Sequence, residues 1–89
     1  MTMNTGASPA AALVVEDDDQ IAYLLRFILE REGYRVELAS DGRSAMALIG
    51  SIEPPALTML DVMLPHFDGY QLLATIRGQE AWRDVPVLM

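Results

Sequence analysis

The chain has 89 residues, which is enough for one domain and leaves no room for a second. Hydrophobic residues make up 52% of it, as in a globular core, and a formal charge of −7 disfavours contact with nucleic acid or anionic membranes. Because there is no cysteine, disulfides and thiolate metal sites are excluded.

The first ten residues carry neither a positively charged start nor an apolar stretch, so they are not typical of a secretory signal. We interpret residues 1–10 as a flexible lead-in and residues 11–89 as the domain. Nothing later approaches the ~20 apolar residues that a membrane-spanning helix needs. A cytoplasmic protein is therefore the default expectation.

The first half of the domain predicts two strands and two helices. The apolar run 11–15 ends abruptly at acidic residues, which is typical of a central strand covered on both faces. Gly33 is placed to end the helix that follows, and the apolar side of that helix is marked by Ile21, Leu24, Leu25, Ile28 and Leu29. Alternating charged and apolar residues over 35–38 predict an edge strand. Asp41 is a candidate cap for the second helix, and Gly50 is a candidate stop.

The second half predicts a third strand, a loop, a third helix and a fourth strand. Residues 56–60 form another apolar run that ends in acid at Asp61. Apolar residues at helical spacing then mark the third helix, and 85–89 has the composition of a fourth strand. Strands that alternate with helices at this spacing favour right-handed crossovers and a parallel sheet, the doubly wound α/β arrangement.

Acidic residues follow both of the predicted central strands. Glu16 and Asp17 come after the first strand, and Asp61 comes after the third. Ligands of open parallel sheets bind beyond the carboxyl ends of the strands, so the three carboxylates converge if these strands are neighbours. Such a cluster repels itself unless a cation binds, and oxygen ligands beside a phosphate favour Mg²⁺. Asp61, alone on its loop, is the best candidate nucleophile for forming an acyl phosphate.

Three segments carry a resemblance to a known family. Residues 14–18 (VVEDD), 60–65 (LDVMLP) and 68–69 (DG) resemble the receiver domain of bacterial response regulators, and the resemblance runs from about residue 12 to residue 89. It implies a flavodoxin-like fold that is incomplete in this chain: the order is βαβαβαβ, and the fifth strand and last two helices are absent.

The resemblance also implies the roles of the site residues. Asp61 matches the phosphoacceptor, Glu16 and Asp17 match the acidic pair that holds Mg²⁺, and the backbone carbonyl of Met63 matches a further ligand. The family's switch threonine or serine and its lysine would both fall beyond Met89. The expected domain is a signalling phosphoacceptor, and its only expected catalysis is of its own phosphorylation and dephosphorylation.

The expected partners follow from the same resemblance. The phosphoryl group would come from a sensor histidine kinase or a histidine phosphotransfer protein, and phosphorylation would switch a downstream output. Nucleic acid would be contacted only through an output domain outside this chain. Self-association as a homodimer is left open.

Simpler interpretations compete with the functional ones. Asp18 and Asp19 are typical of a solvated helix start, and a lone aspartate after a strand is usually a turn former. Two other functions stay open. One is a receiver-like interaction module that signals without phosphorylation. The other is an aspartyl-phosphate hydrolase, whose Asp-x-Asp pattern is broken here because Met63 stands at the second acid's place.

Overall fold

The computed structural model describes residues 10–61 and 69–89. Its elements, in chain order, are β1 (Ala11–Val15), α1 (Asp19–Arg31), β2 (Arg35–Ala39), α2 (Gly42–Ser51), β3 (Leu57–Leu60), α3 (Gly69–Gly78), a 3₁₀ turn (Glu80–Trp82) and β4 (Val87–Leu88). The four strands form one parallel sheet in the order β2-β1-β3-β4. This architecture confirms the predicted doubly wound α/β fold.

Strand β1 lies inside the sheet, as its apolar sequence predicts. Val15 pairs with Ala39 of β2 on one side and with Leu60 of β3 on the other. Residues 12–15 are buried, since helices cover both faces of this strand. Among the described strands, β2 pairs on one side only, which confirms it as an edge strand.

Apolar side chains form a separate cluster on each face of the sheet. The larger cluster includes residues of α2, α3 and the 3₁₀ turn: Leu13, Val15, Ala39, Ala45, Ile49, Leu60, Leu72, Ile76, Trp82 and Val85. The smaller cluster lies beneath α1 and consists of Ala12, Val14 and Leu29, with partly buried neighbours. Thr58 of β3 is fully buried, and its Oγ1 has no hydrogen-bond partner in the part of the chain that the structure describes.

Helix α1 has a defined cap at each end. The carboxylate of Asp18 accepts hydrogen bonds from the N–H groups of the next turn, at 2.9 Å from Gln20 N. At the other end Gly33 has φ +93°, a conformation that side chains disfavour, and the N–H of Tyr34 donates to Leu29 O at 3.0 Å. The predicted stop at Gly33 is therefore confirmed.

Helix α2 begins as predicted and ends later than predicted. The Asp41 carboxylate accepts from the N–H of Ser44 at 2.8 Å, in a capping box. Gly50 was expected to end the helix, and that prediction is wrong, because the helix continues to Ser51. The chain becomes extended at Ile52, ahead of two prolines that disfavour further helical backbone.

One side of α1 is less covered than its apolar sequence suggests. The helix meets the sheet mainly through Ala22 and Leu29, which are buried. Ile21, Leu24 and Ile28 remain 46%, 55% and 45% exposed. Periodicity placed these three residues on the core side, but nothing among the described residues covers that flank.

The segment before β4 is held by a side chain of α3. Nη1 of Arg77 donates to the carbonyl oxygens of Arg83, at 2.6 Å, and Val85, at 2.9 Å. Trp82 is only 2% exposed and shares the larger cluster with Ile76 of α3. In the ranges described here, no helix is both long and apolar enough to span a membrane.

Candidate functional site

The candidate site lies at the carboxyl edge of the sheet, where β1 and β3 end side by side. Glu16 directly follows β1, and its N–H donates to Ala39 O at 3.0 Å. Asp61 directly follows β3, and its N–H donates to Val15 O at 2.9 Å. Hydrogen bonds of the sheet therefore position the backbone of both acidic residues independently of their side chains.

Three of the predicted side chains converge at this edge. Glu16, Asp17 and Asp61 each offer a carboxylate oxygen, and these oxygens all lie within 4.8 Å of one another. Glu16 and Asp61 are half-buried, whereas Asp17 is exposed. The convergence was predicted on the condition that the first and third strands are neighbours, and that condition is met. The chemical roles of the three residues stay predictions.

The surroundings of Glu16 raise its pKa. Burial raises the pKa of Glu16 above its ordinary value, and the hydrogen bond from the N–H of Asp18, 3.2 Å from Oε2, acts in the opposite direction. The negative charge of Asp61 adds to the rise, as does a hydrogen bond between the two carboxyl groups, because such a bond requires one shared proton. A cation placed among the carboxylates would oppose this rise, because it would stabilise the ionised form of Glu16.

The run of four acids is divided between two tasks. Asp18 caps α1, and Asp19 is an exposed residue of the first helical turn, where acids favour the positive end of the helix dipole. This is the helix start expected of Asp18 and Asp19, and a metal role for Glu16 and Asp17 stays a prediction. Met63, whose backbone carbonyl was expected as a further ligand, lies outside the described residues.

The donor set fits a hard divalent cation. All three donors are carboxylate oxygens, the ligands that Mg²⁺ prefers. Two oxygens bound to one Mg²⁺ at about 2.0–2.1 Å lie no more than about 4.2 Å apart. The observed limit of 4.8 Å is close to this value, so small side-chain rotations would bring the oxygens to a common ion.

A groove borders the acidic cluster. Its volume is about 280 Å³, and its walls include Glu16, Asp61, Leu25, Met59 and Leu88. Sequence reasoning missed this groove, because its walls come from elements whose relative positions only the fold defines. Apart from Glu16 and Asp61, the residues that line the groove are apolar.

Comparison with known proteins gives a consistent assignment. The family model of the response regulator receiver domain matches residues 12–89. The transcriptional regulatory protein TcrA of Mycobacterium tuberculosis is 39% identical over an alignment 97 residues long, and the alignment covers 99% of this chain and 37% of that protein. The alkaline phosphatase synthesis transcriptional regulatory protein PhoP of Bacillus subtilis is 44% identical over 77 residues, covering 86% of this chain and 31% of that protein. The chain thus spans about a third of the length of these relatives.

Solved structures show the same fold. The chemotaxis response regulator CheY4 of Vibrio cholerae superposes with a TM-score of 0.86 at 31% identity, covering 91% of this chain and 67% of that one. The receiver domain of the sensor histidine kinase PA1611 from Pseudomonas aeruginosa gives a TM-score of 0.81 at 33% identity, covering 89% and 64%. That structure has a magnesium ion coordinated in its active site cleft.

Proposed function

Because the chain belongs to the response regulator receiver domain family, we propose that it accepts a phosphoryl group on Asp61, with Glu16 and Asp17 helping to hold Mg²⁺. The observation that carries this proposal is the approach of three carboxylate oxygens to within 4.8 Å at the carboxyl edge of the sheet. Packing gives no reason to gather three carboxylates in this way, since burying or crowding like charges is unfavourable.

The proposed chemistry is a transfer from nitrogen to oxygen. A carboxylate oxygen of Asp61 attacks the phosphorus of a phosphohistidine, the new O–P bond forms, and the N–P bond breaks with its electron pair left on the histidine nitrogen. The backbone hydrogen bond from Asp61 to Val15 holds the nucleophile at a fixed place on the sheet edge. When bound, Mg²⁺ would offset the negative charge of the carboxylates and of the phosphoryl oxygens.

Glu16 and Asp17 would hold the ion and keep it beside the nucleophile. Glu16 is suited to this because the N–H of Asp18 fixes its carboxylate from the helix side. The backbone carbonyl of Met63 is proposed as a further ligand. The acyl phosphate that results is a modified state of the domain, and the only catalysis proposed is of its own phosphorylation and dephosphorylation.

The proposed partners follow from the family. The phosphoryl donor is a sensor histidine kinase or a histidine phosphotransfer protein in the cytoplasm. TcrA and PhoP are transcriptional regulatory proteins, which supports a transcriptional output delivered through a separate output domain. No finding favours the alternative of an interaction module that signals without phosphorylation.

An intact-mass spectrum tests the proposal directly. The protein is incubated with Mg²⁺ and acetyl phosphate, alongside an Asp61→Asn variant and an Asp19→Asn variant as a matched control. We expect one added phosphoryl group on the unmodified chain and on the Asp19 variant, none on the Asp61 variant, and none for any chain when EDTA removes the metal. Phosphorylation of the Asp61 variant would contradict the assignment, and so would the absence of phosphorylation on every chain, including the unmodified one.

A further inference from the structure

Asp18 joins the acidic site to the first helix. Its Oδ1 accepts hydrogen bonds from the N–H groups of Gln20, at 2.9 Å, and Ile21, at 3.1 Å. Its carbonyl oxygen accepts from the N–H of Ala22 at 2.9 Å. Its own N–H donates to Oε2 of Glu16 at 3.2 Å. The same residue therefore begins α1 and holds a carboxylate of the proposed site.

The cap of α1 determines the direction of the Asp18 N–H. Asp18 has an extended backbone, with φ −83° and ψ 115°, as a helix cap requires. In this conformation its side chain reaches the N–H groups of the first turn, which have no partner inside the helix. Without the side-chain oxygen, the first turn would open more readily and the backbone at Asp18 would sample other conformations. The hydrogen bond to Glu16 would then be formed for a smaller fraction of the time.

The acidic residues between β1 and α1 are held from both sides. On the sheet side, the N–H of Glu16 donates to Ala39 O at 3.0 Å. On the helix side, Asp18 is held by the cap. Asp17 lies between these two points, and although it is exposed, its carboxylate lies within 4.8 Å of those of Glu16 and Asp61. The placement of Asp17 therefore depends on the cap as well as on the sheet.

We propose that Asp18 is a positioning residue for the magnesium site, because its cap orients the N–H that holds Glu16 and fixes the helix side of Asp17. The proposal rests on the role in holding Mg²⁺ proposed above for Glu16 and Asp17. Groups that orient metal ligands without touching the metal commonly change metal affinity by about 10–100-fold. The hydrogen bond from Asp18 acts in the required direction, since it lowers the pKa of Glu16 and so favours the ionised form that binds a cation.

The coupling between cap and metal acts in both directions. If the formed cap makes Mg²⁺ bind more tightly, bound Mg²⁺ stabilises the formed cap by the same factor. The first turn of α1 should therefore open less often when the site holds its ion. A cap that only begins the helix, without positioning the ligands, would not respond to the metal in this way.

Three variants separate the cap from its charge. Asp18→Ala removes the capping oxygen and one negative charge, whereas Asp18→Asn removes the charge and keeps an oxygen that can cap. Asp19→Ala removes one charge from the neighbouring residue, which is not the cap. Titration with MgCl₂, followed by two-dimensional amide NMR spectra, gives the dissociation constant of each folded variant. We expect Asp18→Ala to bind Mg²⁺ about tenfold more weakly than Asp19→Ala, and Asp18→Asn to bind it like Asp19→Ala.

Amide hydrogen exchange on the unmodified chain tests the reverse direction. Saturating Mg²⁺ should slow exchange of the Gln20 and Ile21 amides by up to about tenfold. The amide of Ser44 is the matched control, because it donates to the cap of α2, Asp41, at 2.8 Å. Exchange at Ser44 should slow by less than about twofold, since the proposed coupling does not include that cap.

Equal Mg²⁺ affinities of Asp18→Ala and Asp19→Ala would overturn the proposal and leave the magnesium site itself standing. Exchange at Gln20 and Ile21 that does not respond to Mg²⁺ would also overturn it. If the unmodified chain showed no response to Mg²⁺ in its amide spectrum, the magnesium site proposed above would fail together with this inference. Should Asp18→Ala not fold, the exchange experiment on the unmodified chain decides.

Discussion

Replacing Thr58 by valine should stabilise the domain. Thr58 is fully buried in β3, and its Oγ1 has no hydrogen-bond partner in the described ranges. Its main-chain N–H donates to Pro86 O at 2.9 Å, and this bond does not depend on the side chain. Valine keeps the branched shape and strand preference of threonine but puts a methyl group where the hydroxyl was.

The expected gain can be worked from the cost of the unpaired hydroxyl. A buried donor or acceptor without a partner costs about 1–3 kcal/mol. The added methyl group must fit a closely packed core, and this reduces the gain in the free energy of unfolding. We expect the free energy of unfolding to rise by about 1 kcal/mol, which corresponds to a melting temperature higher by about 4–8 °C for a domain of this size.

Urea unfolding followed by Trp82 fluorescence measures the change. Trp82 is the single tryptophan and is 2% exposed in the larger cluster, so its emission reports loss of the core. Thr75→Val is the matched control, because Oγ1 of Thr75 already donates to Gln71 O at 3.1 Å. That control should gain nothing. An unchanged or lower stability for Thr58→Val would refute the reasoning and indicate that the hydroxyl has a partner, such as a buried water.

Three further predictions concern the site, the loop before β4 and two glycines. The raised pKa of Glu16 means that the folded state holds the Glu16 proton to a higher pH than the unfolded chain does. Without divalent cations, the free energy of unfolding should therefore fall as the pH rises from the ordinary glutamate pKa through the raised one. Mg²⁺ or Asp61→Asn should reduce this pH dependence, measured by urea titrations at a series of pH values. Arg77→Met should cost about 1 kcal/mol by thermal unfolding, because two loop carbonyls lose a charged donor, and Arg77→Lys should restore only part of it. Gly33→Ala should lower the free energy of unfolding by about 1 kcal/mol, because Gly33 has a φ of +93°. Gly50→Ala should raise it by about 0.5–1 kcal/mol, because Gly50 lies inside α2 with open space around the added methyl group. Equal effects of the two substitutions would contradict the assigned backbone conformations.

The sheet and the acidic cluster were predictable because their signals are local. Apolar runs that end in acid mark both the interior strands and the residues at their carboxyl ends. Parallel connections then bring Glu16 and Asp61 to the same edge. The sequence left open whether β1 and β3 are neighbours, and the pairing of Val15 with Leu60 supplies that step.

Other features depend on what surrounds a residue and could not be read from the pattern. Periodicity identifies Ile21, Leu24 and Ile28 as apolar, but it does not say whether anything packs on them. The two glycines show the same limit. Gly33 ends a helix because its backbone takes a positive φ, and Gly50 does not because the chain around it stays helical until Ser51. Neither conformation is visible in the residue type.

The pairing of β1 with β3 also makes the acidic cluster a product of folding. Glu16 and Asp17 are neighbours in the unfolded chain, but Asp61 joins them only when the two strands are in register. A divalent cation should therefore bind the native state far better than the unfolded one, and each tenfold rise in its concentration above the dissociation constant should add about 1.4 kcal/mol to the free energy of unfolding. Measuring the denaturation midpoint over a series of Mg²⁺ concentrations thus gives the dissociation constant of the site without any phosphodonor.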